Sequence, residues 1–470
     1  MGIALIGERV ESLRVKCTGR APVHFYRKVC GVALSLLLGV APLSVAHAAT
    51  RAPVPAPAAT IRVFNSVNDF YRLRNGAPLW LSAKTGDSAE QLISLLSTSS
   101  IDGLNPDAYH VAALQQAMEV ARSGKPKDIE AADRMLSEAF VAYVSDLDRD
   151  PGLGILYVDA ALKPKPPTPF AILLSAANAA SLSSYVQNIG WMNPIYAELR
   201  RALANHQYAS DHERELLTVN LKRARALPAG KQRYVLVNAA QQRLYMYDEG
   251  KQIDSMVVVV GKPKWPTPMM TAYIRFAALN PYWYVPPELA PEDVAQYVVK
   301  YGLKYLDNYG YQIVDDWTPN PTIIDPKTID WKAVNDGKIQ INIRQKPGPK
   351  NFMGRMKFMF PNDAGVYLHD NPRRELFQKA ARFYSGGCVR LEDAARLGRW
   401  LFGHDLDWQS AGTEQMVPLN NPVPVYITYL TAMPSADGST IAYSDDVYGR
   451  DKAALATAET SSAAVATATR

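Results

Sequence analysis

"RYVLVNAAQQRLYMYDEGKQIDSMVVVVG", residues 233–261, is where the texture of the chain changes. Tyr234 to Val237 is β-branched and aromatic, Arg243 to Tyr247 alternates, Glu249-Gly250 reads as a turn, and Ser255 to Val260 reads as a buried strand ending at Gly261. This is the opening meander of a β domain. Before it, residues 61–228 have a helical texture. In "AADRMLSEAFVAYVSDL" (131–147), Met135, Phe140, Val144 and Leu147 fall on one helical face. "NPIYAELRRALANHQ" and "DHERELLTVNLKRARAL" read the same way, the second with Asp211 as N-cap, and these stripes are ordinary core. After the meander, "KIQINI" and "GVYLH" resume the strand pattern. The Pro- and aromatic-rich stretch between, residues 286–341, reads as an insertion, with helix from Ala290 to Lys304 and Pro291 near its start. Its aromatics suit a cover over a binding groove and equally suit a core of its own. The expected fold class is therefore α+β and multidomain. A helical scaffold (61–228) precedes a mainly β, sandwich-like domain (229–435) with a capping insertion, and an extension follows (436–452).

The ends carry targeting and low-complexity signals. Arg27 and Lys28 close a basic lead, residues 31–45 are apolar apart from Ser35 and Ser44, and Ala46-His47-Ala48 has the small-x-small form of a cleavage site. A membrane span needs about 20 apolar residues, so residues 1–48 read as a cleaved export signal rather than an anchor. A Pro/Ala-rich linker (49–60) follows, and an Ala/Thr/Ser-rich tail (453–470) is expected to be disordered. The lead holds six basic and two acidic residues, so most of the chain's formal charge of +6 leaves with it. What remains is not a nucleic-acid-binding balance.

Cysteine usage sharpens this. Of Cys17, Cys30 and Cys388, only Cys388 survives removal of the lead. An exported protein meets oxidising conditions, where structural cysteines come in pairs. One cysteine also cannot build a cysteine-based structural zinc site.

That thiol sits in "YLHDNPRRELFQKAARFYSGGCVRLEDAARL" (367–397). The alternation of "GVYLHD" puts Val366 and Leu368 on one strand face, and Tyr367 and His369 on the other. Asn371-Pro372 reads as a helix start, with Leu376, Phe377, Ala380 and Phe383 as its apolar side. A second helix is expected from about Leu391, so that Cys388 lies just before a helix N-terminus, with Arg390 close by. His369 could take the thiol proton and return it to a leaving amine. Gly386 and Gly387 remove side-chain bulk, so that backbone N–H groups could meet an oxyanion. Each piece has a plainer reading: a buried small cysteine, a satisfied structural histidine, a surface arginine. Export, the single thiol, the glycines and the strand-end histidine together favour a Cys-His nucleophile site.

His369, a gap of fifteen residues, then Ser385-Gly386-Gly387-Cys388-Val389-Arg390 resembles the catalytic motif of the L,D-transpeptidase family. "NPYWYVPP", "KPGPKNFMGRMKFMFPN", "VYLHDNP" and "FYSGGCVRLED" are similar to its large periplasmic subgroup, and "DGLNPDAYH" and "TVNLKRARALP" to the helical scaffold of that subgroup. Two features depart from the pattern. Gly386 stands where the family often has histidine, and no clear peptidoglycan-binding module interrupts the scaffold. The resemblance implies acyl transfer in cell-wall peptidoglycan, in the periplasm. Cys388 would be the nucleophile and His369 the acid/base. Gly387, with Gly386 and Ser385, would form the oxyanion loop, and the N–H groups of Gly387 and Cys388 would meet the oxyanion. Arg390 and Tyr367 would line the substrate pocket. The partners implied are tetrapeptide stem donors, third-residue amine acceptors, other cell-wall synthases and carbapenem inhibitors; no cofactor or metal is implied. Stem-peptide hydrolysis, exchange of the terminal D-amino acid, and a weakly active wall-binding scaffold are the alternatives.

Overall fold

The computed structural model describes residues 64–318, 320–435 and 437–457. The expected export signal and linker, and the expected tail from 458 on, lie outside them. Eight helices make the N-terminal part: α1 (Val67–Leu73), α2 (Ser88–Ser97), α3 (Val111–Ala121), α4 (Pro126–Leu147), α5 (Pro169–Ala177), α6 (Leu182–Gln187), α7 (Pro194–Ala204) and α8 (Asp211–Ala224). Their starts follow local chemistry. Ser66 and Asp69 form a capping box on α1, and Pro opens α4, α5 and α7, where its missing N–H costs nothing. The cap of α8 is Ser210, whose hydroxyl accepts the Glu213 N–H. Asp211, expected as the cap, is instead in the first turn, where its charge favours the helix dipole.

The strands, in chain order, are β1 (Leu156–Tyr157), β2 (Tyr234–Asn238), β3 (Arg243–Asp248), β4 (Lys251–Gly261) and β5 (Met270–Leu279). Next come β6 (Trp283–Val285), β7 (Tyr311–Val314), β8 (Ile323–Ile324) and β9 (Asn342–Gln345). Last are β10 (Met356–Met359), β11 (Leu368–His369), β12 (Phe383–Ser385), β13 (Val389–Leu391), β14 (Gln415–Thr428), β15 (Ala432–Pro434) and β16 (Ile441–Tyr443). β2, β3 and β4 form the antiparallel meander. The main ladder runs β5-β10-β11-β13-β4-β3-β2-β14, and β14 pairs back onto β5, so the circuit closes on itself.

Alternation gives the ladder two faces. Val235, Val237, Leu244 and Met246 point into the enclosed core with Phe358, Leu368, Val389 and Leu391. Tyr234, Leu236, Tyr245 and Tyr247 point outward, into a core shared with the scaffold helices. The helical region and this sheet therefore form one compact unit.

Residues 281–352 form the second unit. Its antiparallel sheet runs β6-β9-β7-β8, accompanied by α9 (Gln296–Tyr301), α10 (Lys304–Tyr309) and α11 (Trp331–Asn335). These bounds are wider than 286–341 because Trp283–Val285 pairs with Asn342–Gln345, which draws the end of "KIQINI" into this unit. The helix expected over Ala290 to Lys304 is a π-turn (Pro291–Ala295) running into α9, and Gly302 at φ +74° ends it.

Residues 450–457 are helical, so the disorder expected from 453 does not hold as far as 457. Among the described residues, no helix is long and apolar enough to cross a membrane.

Candidate active site

Register assembles the site. Lys357 of β10 pairs with His369 of β11, and His369 pairs in parallel with Arg390 of β13. Phe358, Leu368 and Val389, each one residue away, fill the enclosed core. Lys357, His369 and Arg390 therefore share the opposite face, and the two-residue period places Tyr367 and Cys388 there too. The Val389 N–H donates to the Tyr367 carbonyl at 3.0 Å, which fixes Cys388 beside Tyr367 and diagonal to His369.

Two local expectations fail. After Asn371 there is no α-helix, only a single 3₁₀ segment, Arg374–Gln378. The Asn371 side-chain amide donates to the Arg373 carbonyl, and Phe383 joins β12 against β4. The second helix forms, but later than expected from about Leu391. Val389 and Leu391 are fully buried and make β13, and the next helix, α12 (Ala394–Phe402), starts only after its cap Asp393. The thiol therefore has no helix N-terminus beside it.

His369 is buried, and its Nδ1 donates to the Asp370 carbonyl at 2.6 Å, because a carbonyl can only accept. The neutral ring then carries its lone pair on Nε2, the atom a general base needs. Burial, and then the charge of Arg390, push His369 down to about 3, against the opposing pull of the Asp370 carbonyl. Asp370 is itself anchored: its carboxylate accepts the Arg355 N–H at 2.9 Å and pairs with Arg374 at 3.0 Å. Burial raises the Cys388 thiol above its ordinary value, while the Tyr367 backbone and the charges of Lys357 and Arg390 act in the other direction. Sγ donates to the Gly365 carbonyl at 3.5 Å rather than to His369. Such contacts in an unliganded site commonly tighten only with substrate.

The residues before the thiol form a pinned turn. Ser385, buried in β12, accepts the Gly387 N–H at 3.2 Å and donates to the Cys388 carbonyl at 2.5 Å. Gly387 sits at φ +117°, where side-chain-bearing residues are strained. Its N–H, expected at the oxyanion, is thus turned onto Ser385. Gly386 is exposed. Tyr367 is half-buried beneath the Lys357 ammonium, which lies 3.9 Å from its ring centroid, and Arg390 is half-buried beside it.

The residue reading passed over Lys357 and Asp370. Lys357 had a signal, a cation between the apolar Met356 and Phe358 in a strand. Asp370 had none, since it serves through its backbone carbonyl.

Comparison with known proteins finds similarity over both the helical and the sheet-rich parts of the chain. A family model described as the L,D-transpeptidase catalytic domain matches residues 232–425, and one described as a scaffold domain matches residues 65–203. A Haemophilus influenzae protein with a provisional L,D-transpeptidase name is 27% identical over 399 residues, covering 81% of this chain and 77% of its own. An L,D-transpeptidase from Mycobacterium smegmatis aligns at 14% identity and TM-score 0.19, over 42% of this chain and 59% of that one. L,D-transpeptidase 3 from Mycobacterium tuberculosis, solved in complex with a faropenem-derived adduct, aligns at 12% identity and TM-score 0.21, over 43% and 65%. This chain spans less than two thirds of those two solved proteins. The chain thus carries an L,D-transpeptidase catalytic domain at 232–425 following a scaffold domain at 65–203.

Proposed function

We propose that this protein forms 3→3 cross-links in peptidoglycan through a thioester on Cys388, after export to the periplasm. The observation that carries the reading is the placement of Cys388 and His369 on one face of paired strands, with Nδ1 held by Asp370. Sγ attacks the carbonyl of the third stem residue, and its proton passes to His369 Nε2. The Cys388 N–H meets the oxyanion. Collapse breaks the bond to D-Ala, and His369 returns the proton to the departing amine. The side-chain amine of a third residue on a neighbouring stem then attacks the thioester. It gives its proton to His369, the new amide forms, and the thiol is reprotonated. Arg390 and Tyr367 bound the pocket. A carbapenem is expected to acylate the same sulfur.

The test is incubation of purified protein with tetrapeptide muropeptides, followed by mass analysis. A dimer lacking one D-Ala, absent with Cys388→Ala, is the expected product. Free tripeptide alone would assign the site to hydrolysis, with water in place of the acceptor amine. Tetrapeptide whose D-Ala is replaced by an added D-amino acid would assign it to exchange. No turnover and no carbapenem adduct would leave only a wall-binding scaffold.

A further inference from the structure

The peptide units of the turn into Cys388 have nearly all their polar groups assigned. Gly387 N–H and the Cys388 carbonyl are both taken by Ser385 Oγ, and Val389 N–H is taken by the Tyr367 carbonyl. The Gly387 carbonyl accepts from the Thr267 hydroxyl at 2.8 Å. Among the described residues, the Cys388 N–H donates to no protein acceptor. A peptide unit is planar and trans, so its carbonyl and its N–H point in opposite directions. Fixing the Gly387 carbonyl on Thr267 therefore aims the Cys388 N–H to the opposite side.

Resting on the proposed acyl transfer, we infer that Thr267 is a positioning residue that sets the direction of the oxyanion-binding N–H of Cys388 without touching substrate. Its own geometry leaves it little freedom. Thr267 is fully buried, and its Oγ1 already accepts the Gly261 N–H at 2.9 Å, so its one proton is committed to Gly387. The loop that carries it is tight. A Cβ on Gly261 would lie 2.0 Å from the Trp265 carbonyl, so only glycine fits there. The far side is braced by residues near the C-terminus. The Tyr448 hydroxyl donates to the Gly261 carbonyl at 2.6 Å, and Arg450 Nη2 donates to the Thr267 carbonyl at 2.9 Å.

The test compares two reactions of one thiol. Acylation by imipenem passes through an oxyanion; alkylation by iodoacetamide does not. T267V keeps the shape and removes the hydroxyl. Loss of an oxyanion donor costs about 100- to 1000-fold, so loss of its aim is expected to slow acylation of Cys388 roughly 10- to 100-fold. Alkylation should stay within about twofold, and T267S should restore acylation. Equal acylation of T267V and wild type overturns the inference, and so does a parallel fall in both reactions. If T267V does not fold by circular dichroism, Y448F decides. A fall in acylation relative to alkylation supports the inference, and an unchanged ratio overturns it. Wild-type protein that imipenem fails to label at Cys388 sinks the proposed function itself. Wild-type labelling with T267V equally fast sinks only this inference.

Discussion

At neutral pH the His369 ring is uncharged, its one proton on Nδ1, because burial and the nearby Arg390 hold its folded pKa near 3. The base form is thus fully present through the physiological range. Cys388 is raised, so the resting pair is thiol and neutral imidazole, and in the proposed reaction the proton moves only on attack. The rate of carbapenem acylation should therefore show no inflection near 6.5 and should rise on the alkaline side. Stopped-flow rates from pH 5 to 10 check this, and a half-maximal point near 6.5 would contradict it. The same shift bears on stability. Between about pH 6.5 and 3 the unfolded chain binds a proton at this histidine that the folded chain does not, so stability contributed by the neutral ring falls as pH drops through that window. His369→Gln should flatten that part of the denaturation-versus-pH curve. At Gly387, φ +117° predicts that Gly387→Ala loses on the order of 1–3 kcal/mol of local backbone energy and slows acylation. Cys388 and His369 stand out in the sequence because their types are chemically rare there and their neighbours are suggestive. Thr267 does not, since a threonine between two prolines announces nothing until the loop folds back 120 residues along the chain.

At the scale of elements, β11 and β13 are very short, two and three residues, yet they set the register on which the site depends. Strands that short have almost no periodicity, which is why the stretch after Asn371 and the one after Cys388 read as helix starts. The capping-type Asn371 gave a local signal that pairing of Phe383–Ser385 with β4 overrode, while pairing of β13 with β4 and β11 held the next helix back to Ala394, behind its cap Asp393. The longer meander was legible because each of its strands supplies several alternations. The turn before β10 gives a prediction of its own. An added Cβ at Gly354, itself at φ +65°, would lie 2.3 Å from the Asp370 carboxylate. Gly354→Ala should push Asp370 off the Arg355 N–H and disturb the carbonyl that orients His369. The expected cost is about 1–3 kcal/mol, with slower acylation. Urea titration and imipenem labelling measure the two effects, and a neutral Gly354→Ala would refute the coupling.

At the scale of the molecule, the scaffold and the catalytic sheet are joined by polar bonds as well as by a shared apolar core. Arg223 of α8 is buried with Asp451, and its guanidinium also donates to the Tyr429 carbonyl at 3.0 Å, while Asp451 accepts from Thr431 at 2.6 Å. Removing one partner of a buried pair strands the other, so Asp451→Ala should cost about 3–5 kcal/mol in urea unfolding. A change under 1 kcal/mol would show the pair to be dispensable. No sequence periodicity announces this pair, because its members are 228 positions apart. The closed strand circuit has a consequence for biogenesis. β2 must wait for β14, and Thr267 must wait for Tyr448 and Arg450, 181 and 183 positions further along the chain. A chain cut at 445 would hold both Cys388 and His369 and lack these braces. Emergence of residues 448–450 would thus act as a timer: a chain clipped or stalled before them would carry the proposed reactive pair without the means to aim it.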